Sequence, residues 1–323
     1  MTRAHNGEQS VYDVIIIGAG PSGLTAAIYT SRARLKTLVL DNSQVISQAA
    51  YAYRIENYPG FPDGISGMEL VSRFRKQASE VGAEFATAAV DNISHSSAKG
   101  EKFWQVNAGD KSFKSLSVII SSGAVARKLK VAGEERLHGK GVSYCATCDG
   151  PFYKGKEIVV VGGGNTALEE AIFLTRFAKK VTIVHRRDRL RATQILQEKA
   201  RLNKKIEFAW SSLVEEIKGS SMVEGMVLRN VVTDEKKVLN CEGVFVSIGY
   251  TPNTDFLKNF IHLDEKGYIT ADERMKTSKK GVFASGDCRN IPLKQIVTAS
   301  GDGALAAYSC QQYIDEIKGT IYK

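Results

Sequence analysis

Two stretches of the chain repeat one order of apolar, small and polar positions. The apolar run 11–17 leads into a glycine loop, a helix-like stretch and a second apolar run at 36–41, and the same order recurs over 157–185. Short apolar runs that stop at glycine are typical of buried parallel strands. We therefore predict two strand–loop–helix–strand units, with helices over 24–32 and 168–178. The 323 residues suit two domains.

Each glycine loop has the residue types that cradle a pyrophosphate. The first loop consists of Gly18, Ala19, Gly20, Pro21, Ser22 and Gly23, and the second of Gly162, Gly163, Gly164, Asn165, Thr166 and Ala167. The first glycine makes a tight turn, the second lets the backbone approach the phosphates, and the third position permits close helix–strand packing. The following helix points free N–H groups at the phosphates. A glycine loop alone is a weak signal, but both copies have the required strand and helix around them.

The residue that ends the second strand distinguishes the two units. Asp41 ends it in the first unit, and an acid there accepts a hydrogen bond from a ribose 2′-hydroxyl. His185 has that place in the second unit, and it is followed by Arg186, Arg187 and later Arg191. Guanidinium groups favour a 2′-phosphate, so the second unit is predicted to bind NADPH rather than NADH. A solvated basic helix start is the alternative.

A Cys-x-x-Cys pair precedes the second unit. Cys145 and Cys148 are the only two of five cysteines that are close in sequence, and Asp149 follows them. The spacing fits a redox pair, whereas a structural zinc site would need two more ligands, and no second Cys-x-x-Cys or His pair is present. Asp149 is a candidate proton donor and acceptor, or else a turn cap. The other three cysteines, Cys241, Cys288 and Cys310, are predicted to be buried in the protein core. A reducing compartment is expected.

The last third of the chain is predicted to return to the first unit. A strand over 281–285 ends in Gly286 and Asp287, and Lys294 and Gln295 lead into a helix that starts at Ile296 and runs to 313. Asp287 is a candidate ligand of the ribityl hydroxyls of a flavin, and Gly286, Lys294, Gln295 and Ile296 are predicted to bind the same FAD. The positive end of the helix would stabilise an anionic reduced flavin ring.

These elements predict an α/β protein with two Rossmann-like dinucleotide-binding domains. Residues 121–126 and 249–253 have the small residues, glycine and proline of crossing segments. We therefore predict a discontinuous FAD-binding domain, 1–123 plus 252–323. The NADPH-binding domain, 124–251, is inserted into it and carries the Cys-x-x-Cys.

With these motifs in order, the whole chain resembles low-molecular-weight thioredoxin reductases. The matching stretches are 18–23, 56–60, 145–149, 162–167, 185–191 and 286–287. The resemblance implies a homodimeric enzyme that passes electrons from NADPH through FAD to a disulfide and then to thioredoxin. It implies that Cys148 faces the flavin, that Cys145 attacks the partner disulfide and that Asp149 is the acid–base residue. It also places Gln48 and Asn57 near the flavin, and it implies an inserted domain that rotates.

The chain departs from the family pattern at three places. Ile46 and Ser47 precede Gln48 where the family usually has two glycines, a lysine stands at 294 in place of arginine, and the second loop has Asn-Thr at 165–166 in place of Asp-Ser. The alternatives to thioredoxin reduction are a related flavin reductase with a different partner or electron donor, and a nucleotide-binding redox sensor without turnover.

Composition narrows the remaining classes of function. The net charge of +9 is spread along the chain, and no aromatic platform or zinc-finger spacing accompanies it, so no nucleic-acid partner is predicted. No apolar run approaches the roughly 20 residues of a membrane span. The polar segment 1–10 lacks the apolar stretch of a secretory signal. A cytoplasmic protein is therefore expected.

Overall fold

The computed structural model describes residues 11–42, 47–52, 54–98 and 101–320. The polar segment 1–10 and Ile46 lie outside the described residues. The chain divides into two units, which we call the discontinuous unit, Met1–Val125 with Thr251–Lys323, and the inserted unit, Ala126–Tyr250. These limits lie two residues and one residue from the predicted 123/124 and 251/252.

The discontinuous unit is built on a seven-stranded sheet. Its strands are β1 (Tyr12–Ile17), β2 (Thr37–Asp41), β3 (Glu84–Thr87), β4 (Asn92–Ala98), β5 (Glu101–Ala108), β6 (Lys111–Ile120) and β17 (Val282–Ala284). Its helices are α1 (Pro21–Arg32), α2 (Gly67–Glu80) and α6 (Ile296–Lys318). The strand order is β3-β2-β1-β6-β5-β4, with β17 beside β6. The pairs of β1 with β2 and β6, of β2 with β3 and of β6 with β17 are parallel, and β4 and β5 are antiparallel to their neighbours.

Strand β1 is buried on both faces, as its unbroken apolar run predicts. Val14 and Ile16 pack with α1 and α6 on one face, while Ile15 and Ile17 join the core on the other face. The glycine loop therefore starts at the carboxyl end of a central strand, where ligands bind in open α/β sheets.

Two helices of this unit extend beyond their predicted limits. Helix α1 starts at Pro21 rather than at position 24, since the fixed φ of proline suits the first helical turn. Helix α6 runs to Lys318 rather than ending at 313. It ends there because Gly319 adopts a left-handed φ of 69°, which glycine takes readily.

The inserted unit contains a parallel five-stranded sheet and a small antiparallel sheet. The parallel strands are β8 (Val142–Ser143), β9 (Glu157–Val161), β10 (Lys180–Val184), β11 (Ile206–Ala209) and β15 (Gly243–Val246), in the order β11-β10-β9-β15-β8. The antiparallel strands are β12 (Ser212–Lys218), β13 (Gly225–Asn230) and β14 (Lys236–Asn240). The helices are α3 (Ala146–Asp149), α4 (Asn165–Leu174) and α5 (Gln194–Leu202). At the crossings, β7 (Ala124–Ala126) pairs with β16 (Tyr250–Pro252).

Helix α4 is shorter than predicted, because its end is held by polar side chains. It stops at Leu174 rather than at 178. The Thr175 hydroxyl donates to the carbonyl of Ile172 at 2.7 Å. The Lys205 ammonium donates to the carbonyls of Thr175 and Ala178 at 2.7 and 2.9 Å, so these carbonyls are satisfied outside the helix.

Among the described residues, no helix has the length and apolar character needed to cross a membrane.

Candidate active site

The first glycine loop is closely packed. Gly18 has a φ of +108°, and a Cβ there would lie 2.4 Å from the Ser121 carbonyl oxygen. A Cβ on Gly23 would lie 1.9 Å from the Gly18 carbonyl oxygen, so the third position admits glycine alone. Helix α1 has Gly20 at its N-cap and no side-chain cap, which leaves its first N–H groups for a phosphate.

Three buried hydroxyl groups join the segments around this loop. Ser22 donates to Ser285 at 2.8 Å, and Ser285 is 2.8 Å from Ser121. They link the start of α1 with the ends of β17 and β6. The Ser22 side chain, predicted to bind FAD, thus bonds within the protein. Sequence reasoning missed Ser121 and Ser285, although each follows the apolar run of a strand.

The other residues predicted around FAD have partners within the same unit. The Asp41 carboxylate at the end of β2 forms an ion pair with Arg75 at 2.9 Å, so one of its two oxygens is already bonded. The Gln48 amide donates to the Ala124 carbonyl oxygen. The Asn57 amide donates to the Gln295 side-chain oxygen at 3.0 Å, which brings together two residues 238 positions apart.

Asp287 offers a buried oxygen that lacks a partner. Its Oδ1 has no hydrogen-bond partner among the described residues. Burial raises the pKa of Asp287 to about 6, the Lys294 ammonium opposes the shift, and the Asp302 carboxylate adds to it. The Lys294 ammonium donates to the Asp287 carbonyl oxygen at 2.9 Å and lies 4.5 Å from the centre of the Tyr268 ring. A buried acceptor without a partner fits the hydroxyl donors of a flavin ribityl chain.

A partly buried ion pair, which the sequence did not predict, supports this turn. The Asp302 carboxylate of α6 accepts from the Gly286 N–H at 3.1 Å and pairs with Arg289 at 2.8 Å. The two side chains are 19% and 12% exposed. Because Gly286 precedes Asp287, the pair holds the backbone beside Asp287. Helix α6 begins at Ile296, nine positions beyond Asp287 in sequence.

The second glycine loop is more open. A Cβ on Gly162 would lie 2.3 Å from the Ser247 carbonyl oxygen, whereas a Cβ on Gly164 would meet nothing within 4 Å. Asn165 and Thr166 are exposed at the start of α4, and Ala167 at the third position is buried. Helix α4 has no side-chain cap, which leaves its first N–H groups for a phosphate.

The basic segment is tied to this loop by its backbone. The Arg191 N–H donates to the Gly163 carbonyl at 2.7 Å, and the Thr193 N–H donates to the Asn165 side chain at 2.8 Å. The three arginines of the predicted 2′-phosphate site are all exposed, and none forms an ion pair among the described residues: Arg186, Arg187 and Arg191. Exposed guanidinium groups beside the loop suit a phosphate ester.

His185 lies beneath the loop rather than on its surface. The side chain is only 6% exposed, and a Cβ on Gly163 would lie 2.4 Å from the imidazole ring. Burial lowers the pKa of His185, a bond to the Arg189 backbone opposes this, and the charges of nearby arginines add to the lowering. The imidazole is therefore neutral, and its Nε2 has no partner among the described residues. The His185 ring therefore packs against the loop and leaves Nε2 as a polar atom for a ligand.

Cys145 and Cys148 form a disulfide at the short helix α3. The Cys148 N–H lies 3.2 Å from the Cys145 sulfur, and the Cys145 N–H donates to the Ser143 hydroxyl at 3.1 Å. Both cysteines are half-buried. The Cys148 N–H stabilises a thiolate on Cys145 when the disulfide opens, because it places partial positive charge beside the sulfur.

Asp149 is adjacent to the disulfide and shares Ser143 with it. The Ser143 hydroxyl donates to the Asp149 carboxylate at 2.5 Å. Burial raises the pKa of Asp149, while the Ser143 bond and the charge of His138 oppose the shift. A carboxyl group with a raised pKa can hold a proton and deliver it to a thiolate.

The other three cysteines are free and buried, as predicted. Burial raises the pKa of Cys241 to about 12, of Cys288 to about 11 and of Cys310 to about 12. They are therefore thiols with no tendency to react. No cluster of metal-ligating side chains occurs within the described ranges.

Glycine loops at the carboxyl ends of parallel strands in two sheets, together with a Cys-x-x-Cys disulfide, define the class of dinucleotide-dependent disulfide oxidoreductases. The family described as pyridine nucleotide-disulphide oxidoreductase matches residues 12–303. The chain is 47% identical over 315 residues to a thioredoxin reductase of Listeria monocytogenes, with 97% of each chain covered. It is equally similar to one from Bacillus subtilis, with 97% and 98% covered.

A solved structure agrees with these relatives. The crystal structure of thioredoxin reductase from Streptococcus pyogenes superimposes with a TM-score of 0.90 at 41% identity, covering 96% of this chain and all of the other. The chain therefore belongs to the pyridine nucleotide-disulphide oxidoreductase family, among the thioredoxin reductases. Its cofactors are FAD and NADPH, so the resemblance inferred from the motifs and the predicted fold class are confirmed.

Proposed function

We propose that the chain is an NADPH-dependent thioredoxin-disulfide reductase. FAD held by the first glycine loop and Asp287 would supply the two-electron chemistry that links NADPH to the disulfide. The observation that carries the proposal is the Cys145–Cys148 disulfide in the unit that also contains the open glycine loop. The names of the relatives and the family's cofactors support this reaction.

The chemistry of the dithiol assigns different roles to the two sulfurs. The Cys145 thiolate attacks one sulfur of the thioredoxin disulfide, which forms a mixed disulfide and releases one thioredoxin thiolate. Cys148 then attacks Cys145, so the internal disulfide re-forms and the second thioredoxin thiolate leaves. Similarity to the family supports the choice of Cys148 as the thiol that faces the flavin. Asp149 supplies protons to the thiolates through its contact with Ser143.

We assign FAD to the discontinuous unit and NADPH to the inserted unit. The buried, partnerless oxygen of Asp287 supports the first assignment, and the exposed arginines beside the second loop support the other. NADPH should give a kcat/KM at least tenfold above that of NADH, because only NADPH has the 2′-phosphate. Equal kcat/KM values would contradict the assignment.

Anaerobic titration of the yellow protein with NADPH tests the electron route. Wild-type protein should reduce thioredoxin, whereas Cys148→Ser should still bleach its flavin with NADPH yet lose thioredoxin reduction by more than about 1,000-fold, since the exchangeable disulfide is gone. Cys241→Ser is the matched control, because that thiol is buried and free. Full thioredoxin reduction by Cys148→Ser would overturn the assigned roles.

We also propose that the chain forms a homodimer, as the resemblance of its motifs to thioredoxin reductases implies. Helices α1 and α6, which pack together, expose large apolar side chains at Tyr29, Leu305 and Tyr308, which are 53%, 38% and 54% exposed. Tyrosine is enriched at interfaces. Light scattering should give the mass of two chains, and Tyr308→Glu should shift the protein toward one. A wild-type mass of one chain would contradict this proposal.

A cytoplasmic location is the last part of the proposal. A relay that consumes NADPH and reduces a protein disulfide belongs in a reducing compartment, and three unpaired cysteines agree with this. Fractionation of cells with an antibody against the chain would test it, since recovery outside the cytoplasm would contradict the proposal.

A further inference from the structure

Tyr144, which directly precedes Cys145, is held by hydrogen bonds at both its side chain and its backbone. Its hydroxyl donates to the Glu134 carboxylate at 2.9 Å, and its carbonyl oxygen accepts from the Tyr250 hydroxyl at 2.8 Å. All four residues lie in the inserted unit, and the reaction described above gives no role to the two tyrosines or the glutamate. The residue beside the attacking sulfur is therefore fixed by two side chains from other segments of that unit.

The Glu134 carboxylate is a fixed acceptor inside the protein. It is only 2% exposed, and besides the Tyr144 hydroxyl it accepts from the N–H groups of Leu129 at 2.8 Å and Lys130 at 2.7 Å. Lys130 has a left-handed φ of 62°, which residues other than glycine rarely adopt, so the carboxylate also stabilises a strained turn. Burial raises the pKa of Tyr144, and the bond to Glu134 raises it further. The phenol therefore stays protonated and donates to this carboxylate at neutral pH.

The bond from Tyr250 holds the peptide group that joins Tyr144 to Cys145. The oxygen of this group accepts from Tyr250, and its N–H, which belongs to Cys145, donates to the Ser143 hydroxyl at 3.1 Å. A peptide group is planar, so bonds at its two ends fix its orientation. The Cα atom of Cys145 is part of that plane, and the direction in which its side chain leaves the backbone is thereby restricted.

We propose that Tyr144 is a positioning residue of the dithiol: it keeps the Cys145 backbone beside Cys148 after the disulfide has been reduced. Glu134 and Tyr250 act through it, because each of them bonds one part of the residue. The inference rests on the proposed function, in which the pair opens and closes in every turnover. Reduction removes the S–S bond, so noncovalent bonds then decide how far the two sulfurs separate.

The step that depends on this positioning is the closing of the internal disulfide. The Cys148 thiolate attacks the Cys145 sulfur of the mixed disulfide, so the internal S–S bond forms and the thiolate of the partner leaves. A backbone that is already ordered loses less conformational entropy when the ring closes, which raises the effective concentration of one sulfur at the other. Loss of either bond to Tyr144 should therefore make the disulfide easier to reduce and slower to re-form.

Two substitutions that each remove one hydroxyl test the two bonds. Tyr144→Phe removes the donor to Glu134 and keeps the ring, and Tyr250→Phe removes the donor to the Tyr144 carbonyl. Tyr12→Phe is the matched control, because it removes a hydroxyl that bonds the Glu84 carboxylate at 2.8 Å in the discontinuous unit. Each variant is first checked for its flavin spectrum and melting temperature.

The equilibrium between the open and the closed pair is measured against glutathione. Each protein with bound FAD is equilibrated, without NADPH and without air, at a series of ratios of reduced to oxidised glutathione. After an acid quench, a maleimide labels every free thiol under denaturing conditions, and a mass difference of two labels separates the open pair from the closed one. The flavin absorbance of the same samples reports the redox state of the cofactor, so the two equilibria are read separately.

Tyr144→Phe should shift the equilibrium constant with glutathione about tenfold toward the open pair, which corresponds to a reduction potential about 30 mV less negative. Tyr250→Phe should shift it about three- to tenfold in the same direction, because its hydroxyl bonds a neutral acceptor. Tyr12→Phe should match the wild type, and all three variants should keep the wild-type rate of flavin bleaching by NADPH.

Wild-type equilibrium constants in both Tyr144→Phe and Tyr250→Phe would overturn the inference, as would an equal shift in Tyr12→Phe. If the wild-type pair exchanges with glutathione but does not reduce thioredoxin, the proposed function fails, while the equilibrium constants still decide the role of Tyr144.

Discussion

The two glycine loops follow one sequence pattern, but the protein surrounds them differently. At the start of α1, Pro21 and Ser22 are buried and Gly23 touches the loop itself. At the matching positions of the second loop, Asn165 and Thr166 are exposed. The ends of the second strands differ as well. Asp41 ends β2 and forms an ion pair, whereas exposed arginines follow the end of β10.

This difference separates a resident group from an exchangeable one. A cofactor that stays bound through many turnovers gains from a buried, closely packed cradle, because each buried contact slows its release. A nucleotide that must enter and leave in every cycle gains from an open loop and exposed charges, which favour rapid association. The asymmetry of the loops thus matches FAD in the first unit and NADPH in the second.

The largest effects are expected from adding one methyl group to each loop, which tests whether the two loops differ in packing. Gly23→Ala should lose FAD and destabilise the fold by roughly 1–3 kcal/mol, since its Cβ would lie 1.9 Å from the Gly18 carbonyl oxygen. Gly164→Ala has open space and should stay folded and yellow, with the KM for NADPH raised about tenfold because the methyl hinders the phosphates. Absorbance at the flavin bands and melting temperature measure both. A yellow Gly23→Ala with the wild-type melting temperature would contradict the packing argument.

Removing the exposed arginines beside the second loop tests the assignment of NADPH to that loop. Arg186→Ala, Arg187→Ala and Arg191→Ala should each raise the KM for NADPH by about 10- to 100-fold, in line with about 1.5–3 kcal/mol for a hydrogen bond between charged groups. The KM for NADH should change little, because NADH lacks the 2′-phosphate. Arg201→Ala, exposed on α5, serves as control. Equal losses with both nucleotides would place these side chains elsewhere in the binding site.

The sequence predicted what depends on local pattern. Strand β1, both glycine loops and the cysteine pair could be predicted, because each depends on the order and spacing of residues that are close in sequence. The end of α4 differs from the prediction, because it depends on Lys205, which lies in the turn before β11 and bonds the carbonyls beyond Leu174.

The residues of the candidate site that the sequence did not predict are held by contacts between positions far apart in the chain. Ser22 meets Ser285, 263 positions away, and a single sequence has no signal for such a contact. Asp302 lies in a helix whose sequence is mostly small residues, and its structural role becomes visible only in the ion pair with Arg289.

The smallest effect that we expect concerns a buried carboxyl group in the first cradle. Burial raises the pKa of Asp287 to about 6. FAD hydroxyls donate more strongly to the ionised carboxylate, so FAD binding favours the charged form and must weaken as the pH falls through about 6. Flavin released into the filtrate between pH 8 and pH 5 should show affinity falling roughly three- to tenfold. Asp287→Asn keeps an acceptor that does not titrate and should flatten this profile, whereas Asp110→Asn, on an exposed turn, should not. Retention of FAD that is independent of pH in the wild type would mean that the partnerless Asp287 oxygen does not bind the flavin, and the contrast between a buried and an open cradle would then depend on the packing of Gly18 and Gly23 alone.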